Sequence, residues 1–208
     1  MKHDDIVARV GSYYGDKLRT FGTTPRGVDW NGVESQALRF TQLMRVADGS
    51  KRYSLIDFGC GYGALLGHLE GQGMEVDYVG YDISDEMVIA AQAQYPGRAR
   101  FVSQLEDLDA TDFAVCSGVF NVKLQTPTEA WEQYVFDTLD RLATLGTHGF
   151  AFNMLTSYSD ADKMRSDLYY ADPCVFFDRC KRRYGNNVAL LHDYGLYEFT
   201  LIVRKRTP

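Results

Sequence analysis

The sequence predicts a single α/β domain built on a doubly wound, seven-stranded sheet whose last strand is antiparallel. From residue 53 onward, short β-prone apolar stretches alternate with longer stretches of helical periodicity, which is typical of parallel β/α units. A glycine-rich turn follows the first of these strands. Near the end of the chain, the stretches 187–192 and 196–204 are separated only by the tight turn Asp193-Tyr194-Gly195. So short a connection requires an antiparallel pair.

The composition is that of one ordinary globular domain. The chain has 208 residues, of which 45% are hydrophobic and 24% charged, and it contains no internal repeat or linker-like tract. No apolar run approaches the length of a membrane span, and the first residues lack the apolar core of a signal peptide. We therefore expect a cytoplasmic protein, monomeric or homodimeric, without a membrane partner. The net charge of −6 argues against a nucleic-acid partner.

The cysteine pattern predicts neither disulfides nor a metal site. Cys60, Cys116, Cys174 and Cys180 form no C-x-x-C pair, and none has a metal-type spacing with histidine. We interpret all four as reduced thiols and expect no bound metal.

The N-terminal segment predicts two helices joined by a loop. The first helix spans residues 4–19, and the loop covers residues 21–29, where glycine and proline interrupt the helical pattern. Asn31 is a candidate cap for the second helix, with Glu34 at its third helical position and Gly49 after its end. Its predicted buried face consists of residues 33, 37, 40, 44 and 47.

The remaining elements alternate along the chain. The first two strands are residues 54–58 and 76–81, with a helix from Ala64 between them, and Ser84 is a candidate helix cap after the second strand. The later elements, in order, are strands 100–103 and 112–117, a helix from a capping box at 126–129 to about Leu145, strand 148–156, and one or two helices within 159–184, broken near Asp172-Pro173.

The turn Gly59–Gly63 and the aspartate at position 82 predict a nucleoside-cofactor site. A strand, a glycine turn and a helix in that order place backbone N–H groups where a negative ligand group can bind. Asp82 follows Gly63 by nineteen residues, at the end of the second strand, where a carboxylate can accept hydrogen bonds from both ribose hydroxyls. The loose pattern G-x-G-x-x-A of Gly59, Gly61 and Ala64 also fits a dinucleotide such as NAD.

The stretch Asp57-x-Gly-x-Gly-x-Gly resembles the first motif of class I (Rossmann-like) S-adenosylmethionine (SAM)-dependent methyltransferases. An acidic residue at the end of strand one suits the ammonium group that SAM has and NAD lacks. The resemblance extends to a group of small bacterial methyltransferases without a settled substrate, through residues 14–15, 21–25, 30–31, 34–36, 39–40, 117–122, 153–157 and 192–197. It implies SAM as cofactor, S-adenosylhomocysteine (SAH) as product, and an N-terminal lid over residues 1–50. A packing extension is the alternative for this segment.

The resemblance assigns cofactor contacts residue by residue. In the family the glycine loop holds the methionine part, the acid after strand two binds the ribose, and the ends of strands three and four contact the adenine and flank the methyl group. The corresponding residues are Asp57, Gly59, Cys60, Gly61, Asp82, Ile83, Met87, Gln104, Leu105, Ser117 and Gly118. In the lid, Thr24 or Arg39 is expected to bond the SAM carboxylate, and Trp30 to close the site against water.

Aromatic residues in the lid and in an insertion at about 157–186 predict an apolar, water-excluding pocket for the methyl acceptor, although core packing explains some of them equally well. The candidate acceptor-binding residues are Tyr13, Tyr14, Phe120, Asn121, Tyr158, Tyr169, Tyr170 and Phe176. His192 is a candidate general base, with Asp193 beside it, although a structural histidine fits the same pattern. Adjacent strand residues point to opposite faces, which limits the contact between these two side chains.

Together these features predict a SAM-dependent methyltransferase that acts on O, N or S of a small metabolite. Residues 117–121 lack the Asn/Asp-Pro-Pro-aromatic motif that nucleic-acid amino-methyltransferases carry at this point, which favours a small acceptor. The alternative is a SAM-binding sensor or partner subunit without catalysis. The predicted organisation is one domain over residues 1–208, with the sheet and its helices over 53–208.

Overall fold

The computed structural model describes residues 3–205, apart from the side chain of Asp4, so the predicted domain limits at residues 1 and 208 lie outside the described residues. Seven strands form one mixed sheet: β1 Tyr53–Phe58, β2 Val76–Tyr81, β3 Arg100–Val102, β4 Thr111–Cys116, β5 Gly146–Leu155, β6 Asn187–Leu191 and β7 Glu198–Arg204. Six α-helices accompany them: α1 His3–Phe21, α2 Val33–Met44, α3 Ala64–Gly71, α4 Asp85–Gln94, α5 Thr128–Leu145 and α6 Pro173–Arg183. Within this part of the chain, no helix is both long and apolar enough to cross a bilayer.

The strand order is β3-β2-β1-β4-β5-β7-β6, and the predicted fold class is confirmed. The first five strands pair in parallel, whereas β7 is antiparallel to both β5 and β6, with Phe152 opposite Leu201 and Ala189 opposite Ile202. Alternate residues of each strand point to opposite faces, so Ile56 packs under α1, α5 and α6 while Leu55 packs under α2, α3 and α4. The central strands are therefore buried on both faces, whereas the edge strand β6 is only partly buried.

The predicted terminal hairpin is confirmed, but its connection is longer than the sequence indicates. β6 ends at Leu191 and β7 begins at Glu198, so six residues join the two strands. The strands keep their antiparallel register because both have buried apolar partners in the sheet, and the connection has no such constraint.

The predicted helix over residues 159–172 is wrong. This segment contains only one 3-10 turn, Ala161–Lys163, and otherwise follows the loops beyond β4 and β5, where Tyr169 N donates to the Asn121 carbonyl. The α6 helix begins at Pro173 because Asp172 caps it, with Oδ1 accepting from Cys174 N at 2.8 Å. Backbone pairing to neighbouring loops has replaced helical hydrogen bonds before that cap.

Two other predicted caps shift by one residue, and one is confirmed. Gly32 rather than Asn31 precedes α2, and Pro127 occupies the cap position of α5 instead of its first turn. Ser84 caps α4 as predicted, since its hydroxyl accepts from Met87 N at 3.4 Å.

The buried face of α2 also differs from the prediction. Val33 is 69% exposed, whereas the polar residues Gln36 and Arg39 are buried together with Phe40. Apolar periodicity alone could not identify this face, because part of it covers a polar site instead of the core.

Candidate functional site

A cleft of about 770 Å³ lies at the carboxyl ends of β1, β2 and β4. Parallel strands bring these ends to one edge of the sheet, where the glycine loop, Asp57 and Asp82 face each other. The N-terminal segment covers this edge, through Val10 and Tyr14 of α1, Val28 and Trp30 of the following loop, and Gln36 and Phe40 of α2. We call this space the first cavity.

Asp82 is the buried carboxylate that the spacing predicted after β2. Its Oδ2 accepts from Gly61 N at 2.8 Å and its Oδ1 accepts from Ser84 N at 2.9 Å. Burial raises the pKa of Asp82 to about 6, and the two backbone donors partly oppose this shift. Each carboxylate oxygen retains a further lone pair, so two hydroxyl groups of a ligand can still bind.

Asp57, the last residue but one of β1, is 2% exposed. Its Oδ2 accepts a hydrogen bond from the Tyr78 hydroxyl at 2.6 Å. Burial raises the pKa of Asp57 to about 7, the bond from Tyr78 lowers it, and the nearby Asp82 raises it further. A cationic group in the first cavity would stabilise the ionised form of both carboxylates.

Four of the five backbone N–H groups of the loop Gly59–Gly63 already have partners within the protein, whereas the prediction left them open for an anion. Gly59 N and Cys60 N donate to the Tyr81 carbonyl at 2.7 and 2.9 Å, and Gly63 N donates to the Cys60 carbonyl at 3.0 Å. Gly61 N is held by Asp82. The loop is therefore tied to β2, and its polar contribution to the cavity comes mainly from the two aspartates.

Glycine is required at two places because the covering segment packs directly on the backbone. Gly61 has φ +54°, and a Cβ there would lie 2.9 Å from Val28 Cγ1. Gly118, just after β4, has φ +76°, and a Cβ there would overlap the Trp30 ring. Any larger residue at either position would displace the covering segment.

A second cavity of about 1020 Å³ adjoins the first and shares Tyr14, Val28, Trp30 and Gly118 with it. Its wall is more polar than that of the first. Five charged residues line it: Asp29, Arg39, Lys163, Arg165 and Glu198. The segment between β5 and α6 contributes Ser159 and Tyr170 as well as the two surface cations.

Arg39 of α2 and Glu198 of β7 form a buried ion pair in this second cavity. Arg39 Nε and Glu198 Oε2 are 2.7 Å apart, and the residues are 7% and 1% exposed. The guanidinium carbon of Arg39 lies 3.9 Å from the centre of the Trp30 ring. Burial raises the pKa of Glu198, and Arg39 opposes this shift.

Asn153 of β5 fixes the backbone at the junction of the two cavities. Its Oδ1 accepts from Gly118 N at 2.8 Å, and its Nδ2 donates to Ser117 Oγ at 3.2 Å. Asn153 is fully buried in the sheet, so the junction is supported by the core.

Most of the predicted cofactor residues meet around the first cavity: Asp57, Gly59, Cys60, Gly61, Asp82, Ile83, Met87, Ser117, Gly118 and Trp30. Four lie elsewhere. Gln104 is exposed and Leu105 packs against the core, because the chain turns away directly after the short strand β3. Thr24 is exposed and donates to the Phe21 carbonyl, while Arg39 lines only the second cavity.

Three of the predicted acceptor residues, Tyr14, Asn121 and Tyr170, line the second cavity. The structure does not bring the others there. Phe120, Tyr169 and Phe176 are buried in the core beneath α5 and α6. Tyr13 donates to Asp29 Oδ2 at 2.7 Å, and Tyr158 is 68% exposed.

His192 lies outside both cavities. It is exposed in the connection after β6, at the edge of the sheet, with its ring 5.9 Å from that of Tyr158. The edge position of β6, two strands away from β5, separates this histidine from the junction at Gly118.

Sequence reasoning missed several lining residues. Gln36 and Tyr62 of the first cavity carry no motif of their own. Lys163 and Arg165 were hidden in a segment predicted as helix. Glu198 did carry a signal, since an acidic residue stands directly before the apolar stretch that forms β7.

The fold and the first cavity are those of an α/β protein that binds a nucleoside cofactor, and comparison with known proteins gives the family. A family profile described as "Methyltransferase domain" matches residues 56–141. A candidate methyltransferase of Mycobacterium tuberculosis is 52% identical over 164 residues, which are 78% of this chain and 99% of that protein. The chain belongs to the class I SAM-dependent methyltransferases, and SAM is its cofactor.

Solved structures share the fold at low sequence identity. A DhpI complex with SAH superposes with a TM-score of 0.63 at 16% identity and covers 95% of both chains. The magnesium protoporphyrin IX methyltransferase of Synechocystis PCC 6803 with bound SAM gives a TM-score of 0.59 at 20% identity, over 94% of this chain and 97% of that one. These similarities support the architecture.

Proposed function

We propose that the protein transfers the methyl group of SAM to an O, N or S atom of a small molecule bound in the second cavity. One observation carries this proposal: the two cavities are separate spaces that meet along Tyr14, Val28, Trp30 and Gly118. A cofactor in the first cavity and an acceptor in the second would meet at this junction. Methyl transfer requires mainly such in-line positioning.

The residues of the first cavity fit the cofactor. SAM, when bound, supplies an electrophilic methyl group on a sulfonium ion. Asp82 would hold the ribose hydroxyls with its remaining lone pairs, and Asp57 would lie near the ammonium group. Ile83 and Met87 offer apolar surface for the adenine.

Aromatic side chains at the junction would exclude water during transfer. Trp30 and Tyr14 line both cavities, and their rings can also stabilise a nearby cation. Burial raises the pKa of Tyr14, with nearby carboxylates adding to the shift, so its hydroxyl stays protonated near neutral pH. Tyr14 would therefore act as a hydrogen-bond donor and not as a base.

An isotope-transfer assay tests the proposed reaction. Protein incubated with methyl-labelled SAM and metabolite extracts should produce labelled small molecules, and Asp82→Ala should reduce the rate. The loss of label transfer must parallel weaker SAH binding in the variant. If SAH binds normally to the wild-type protein but no extract yields a labelled product, the non-catalytic SAM-binding alternative replaces the enzyme.

We also propose that the N-terminal segment is a lid that closes over bound cofactor, and that the insertion at 157–186 covers the acceptor. Val28 and Trp30 lie on the glycine backbone of the first cavity and would have to move for a ligand to enter. Hydrogen exchange of residues 10–40 should therefore slow when SAH is added. Equal protection with and without SAH would identify the segment as fixed scaffold.

A further inference from the structure

The ion pair of Arg39 and Glu198 is incomplete. The two side chains share one close contact, from Nε to Oε2 at 2.7 Å. Arg39 Nη1 and Glu198 Oε1 are both inaccessible to solvent, and neither has a hydrogen-bond partner among residues 3–205. Both residues line the second cavity. The structure thus holds one buried donor and one buried acceptor at a cavity wall without satisfying either.

Such a pair is costly to the protein alone. A buried guanidinium and a buried carboxylate each need several hydrogen bonds to offset the loss of hydration. Because both atoms are closed to solvent, the cavity wall has to shift for a ligand to reach them. A ligand that then supplies an acceptor to Arg39 Nη1 and a donor to Glu198 Oε1 would complete both groups at once. The two unsatisfied atoms therefore define the polar end of a ligand.

Resting on the proposed methyl transfer, we propose that this pair binds the methyl acceptor by a carboxylate that has a hydrogen-bond donor on the neighbouring carbon, as in an α-amino or α-hydroxy acid. The carboxylate would accept from Arg39 Nη1, and the adjacent N–H or O–H would donate to Glu198 Oε1. Arginine is suited to this role because its planar group matches a carboxylate.

The charged residues around the second cavity occur in ion pairs. Three cationic residues line it, Arg39, Lys163 and Arg165, against the two carboxylates of Asp29 and Glu198. Asp29 is already bound by Lys17 at 2.7 Å and by Tyr13 at 2.7 Å. Arg165 is likewise bound by Asp167 at 2.5 Å and Lys163 by Asp162 at 3.3 Å, so the pair of Arg39 and Glu198 is distinguished by its burial and its two unsatisfied atoms.

The position of Trp30 assigns the pair to the acceptor instead of the cofactor carboxylate. Its ring packs on the Arg39 guanidinium and also on Gly118 at the junction. The described residues that line the first cavity do not include Arg39. A molecule held by Arg39 and extending along Trp30 would place its far end near Gly118, where the methyl group is expected.

Calorimetry with SAH tests the assignment of Arg39. The double variant Arg39→Met/Glu198→Met removes both charges and leaves neither buried alone. We expect its SAH dissociation constant to stay within about threefold of wild type, whereas Asp82→Ala should weaken SAH by roughly tenfold or more. A tenfold loss in the double variant would assign Arg39 to the cofactor and overturn the proposal.

Binding of defined probes to the SAH-loaded protein tests the ligand class. Phenylalanine and 3-phenyllactate carry the proposed group on an aromatic body that suits Tyr14, Tyr170 and Tyr197 of the cavity. At least one should bind saturably, and 3-phenylpropionate and phenethylamine, which lack the donor or the carboxylate, should bind about tenfold more weakly. The proposal would be overturned if neither acid binds saturably, or if all four probes bind equally well.

Matched variants separate a local effect from a general one. The double variant of Arg39 and Glu198 should lose the binding of both acids. Arg19→Met/Glu86→Met, which removes an exposed ion pair outside both cavities, should bind them like wild type. Equal loss in both double variants would mean that the probes do not report on the buried pair, and the proposal would fail.

The result is distinguishable from failure of the proposed function. A labelled product from extracts that carries no carboxylate would overturn the ligand class while methyl transfer stands. If the acids bind saturably and depend on Arg39, but no extract gives a labelled product, the ligand class would be supported and the proposed methyl transfer would be excluded.

Discussion

The two cavities differ in how their buried charges are satisfied. In the first cavity, Asp57 and Asp82 each receive hydrogen bonds from the protein, at 2.6 to 2.9 Å. In the second cavity, Arg39 and Glu198 each keep one buried atom without a partner. The protein itself holds the carboxylates of the first cavity, whereas under our proposal a ligand completes the pair in the second cavity.

The cavities also differ in how the chain supplies them. The floor of the first comes from residues 57–64, 81–87 and 117–119, which are the successive ends of neighbouring strands. The second is assembled from loops and from single residues as distant as Arg39 and Glu198. Changes at the junction should therefore affect both ligands, and changes elsewhere should affect only one.

Gly118→Ala should give the largest effect and act on both cavities. The added Cβ meets the Trp30 ring, and φ of +76° is unfavourable for alanine. We expect SAH and acceptor binding to weaken by about 2–3 kcal/mol each, measured by calorimetry. Gly195→Ala is the matched control, since Gly195 has φ +71° but open space around it. Equal losses in the two variants would attribute the effect to backbone strain alone.

Asp82→Ala should weaken only the cofactor. Loss of a carboxylate that accepts two ribose hydroxyls is expected to cost roughly 1–3 kcal/mol of SAH binding. Acceptor probes should bind the second cavity with little change. Asp85→Ala, at an exposed position on the adjacent helix, controls for the charge change. Unchanged SAH affinity, or tight NAD binding, would contradict the cofactor assignment.

The pH dependence of SAH binding should distinguish the two cavities, with a smaller effect than the two substitutions above. The pKa of Asp57 is raised to about 7, and a ligand ammonium group beside it favours the ionised form. SAH binding should therefore release a proton below pH 7, and affinity should rise about tenfold from pH 6 to pH 8 before levelling. Calorimetry in buffers of different ionisation enthalpy measures that proton. A flat profile in wild type, or the same rise in Asp57→Asn, would exclude this carboxyl.

The same carboxyl has an effect on stability without ligand. Its folded pKa lies above the ordinary value of 3.8, so between pH 4 and 7 the folded protein binds more protons than the unfolded chain. This group therefore makes the free energy of unfolding decrease as pH rises through that interval. The pH profile of Asp57→Asn in urea unfolding should lack that contribution.

Lys163→Ala should give the smallest effect and act only on the second cavity. The side chain is 61% exposed, so its attraction for an anionic acceptor is screened and worth less than about 1 kcal/mol. A carboxylate probe should bind up to fivefold more weakly at low salt, with the difference disappearing at high salt. SAH affinity should not change. An effect on SAH would show that the rim of the second cavity contacts the cofactor.

The sequence predicts the first cavity well because its information is local. Asp57, the glycine turn and Asp82 stand at fixed positions relative to strands, so their meeting follows from parallel pairing. The prediction was less accurate for the loop N–H groups, since their use by Tyr81 and Asp82 depends on distances that the pattern does not contain.

The second cavity is difficult to predict because its residues are brought together by tertiary packing. Nothing in the helical pattern of α2 indicates that Arg39 meets a residue 159 positions later. The aromatic residues mislead for a related reason: Phe120 and Phe176 are as apolar as a pocket requires, yet they fill the core. Composition identifies such residues but does not distinguish a cavity wall from a packed interior.

Asn153 marks the boundary between a part of the site that the sheet holds and a part that loops form. It lies near the carboxyl end of β5 and holds Ser117 and Gly118, so the junction of the two cavities is anchored in the sheet. The wall of the second cavity, by contrast, is formed largely by loops, such as the segment around Lys163 and Arg165. Under the proposed function, exchange of those loops would accommodate another acceptor while Ser117 and Gly118 stay in place. The sheet thus fixes the junction of the two cavities, and the loops determine the shape of the second cavity.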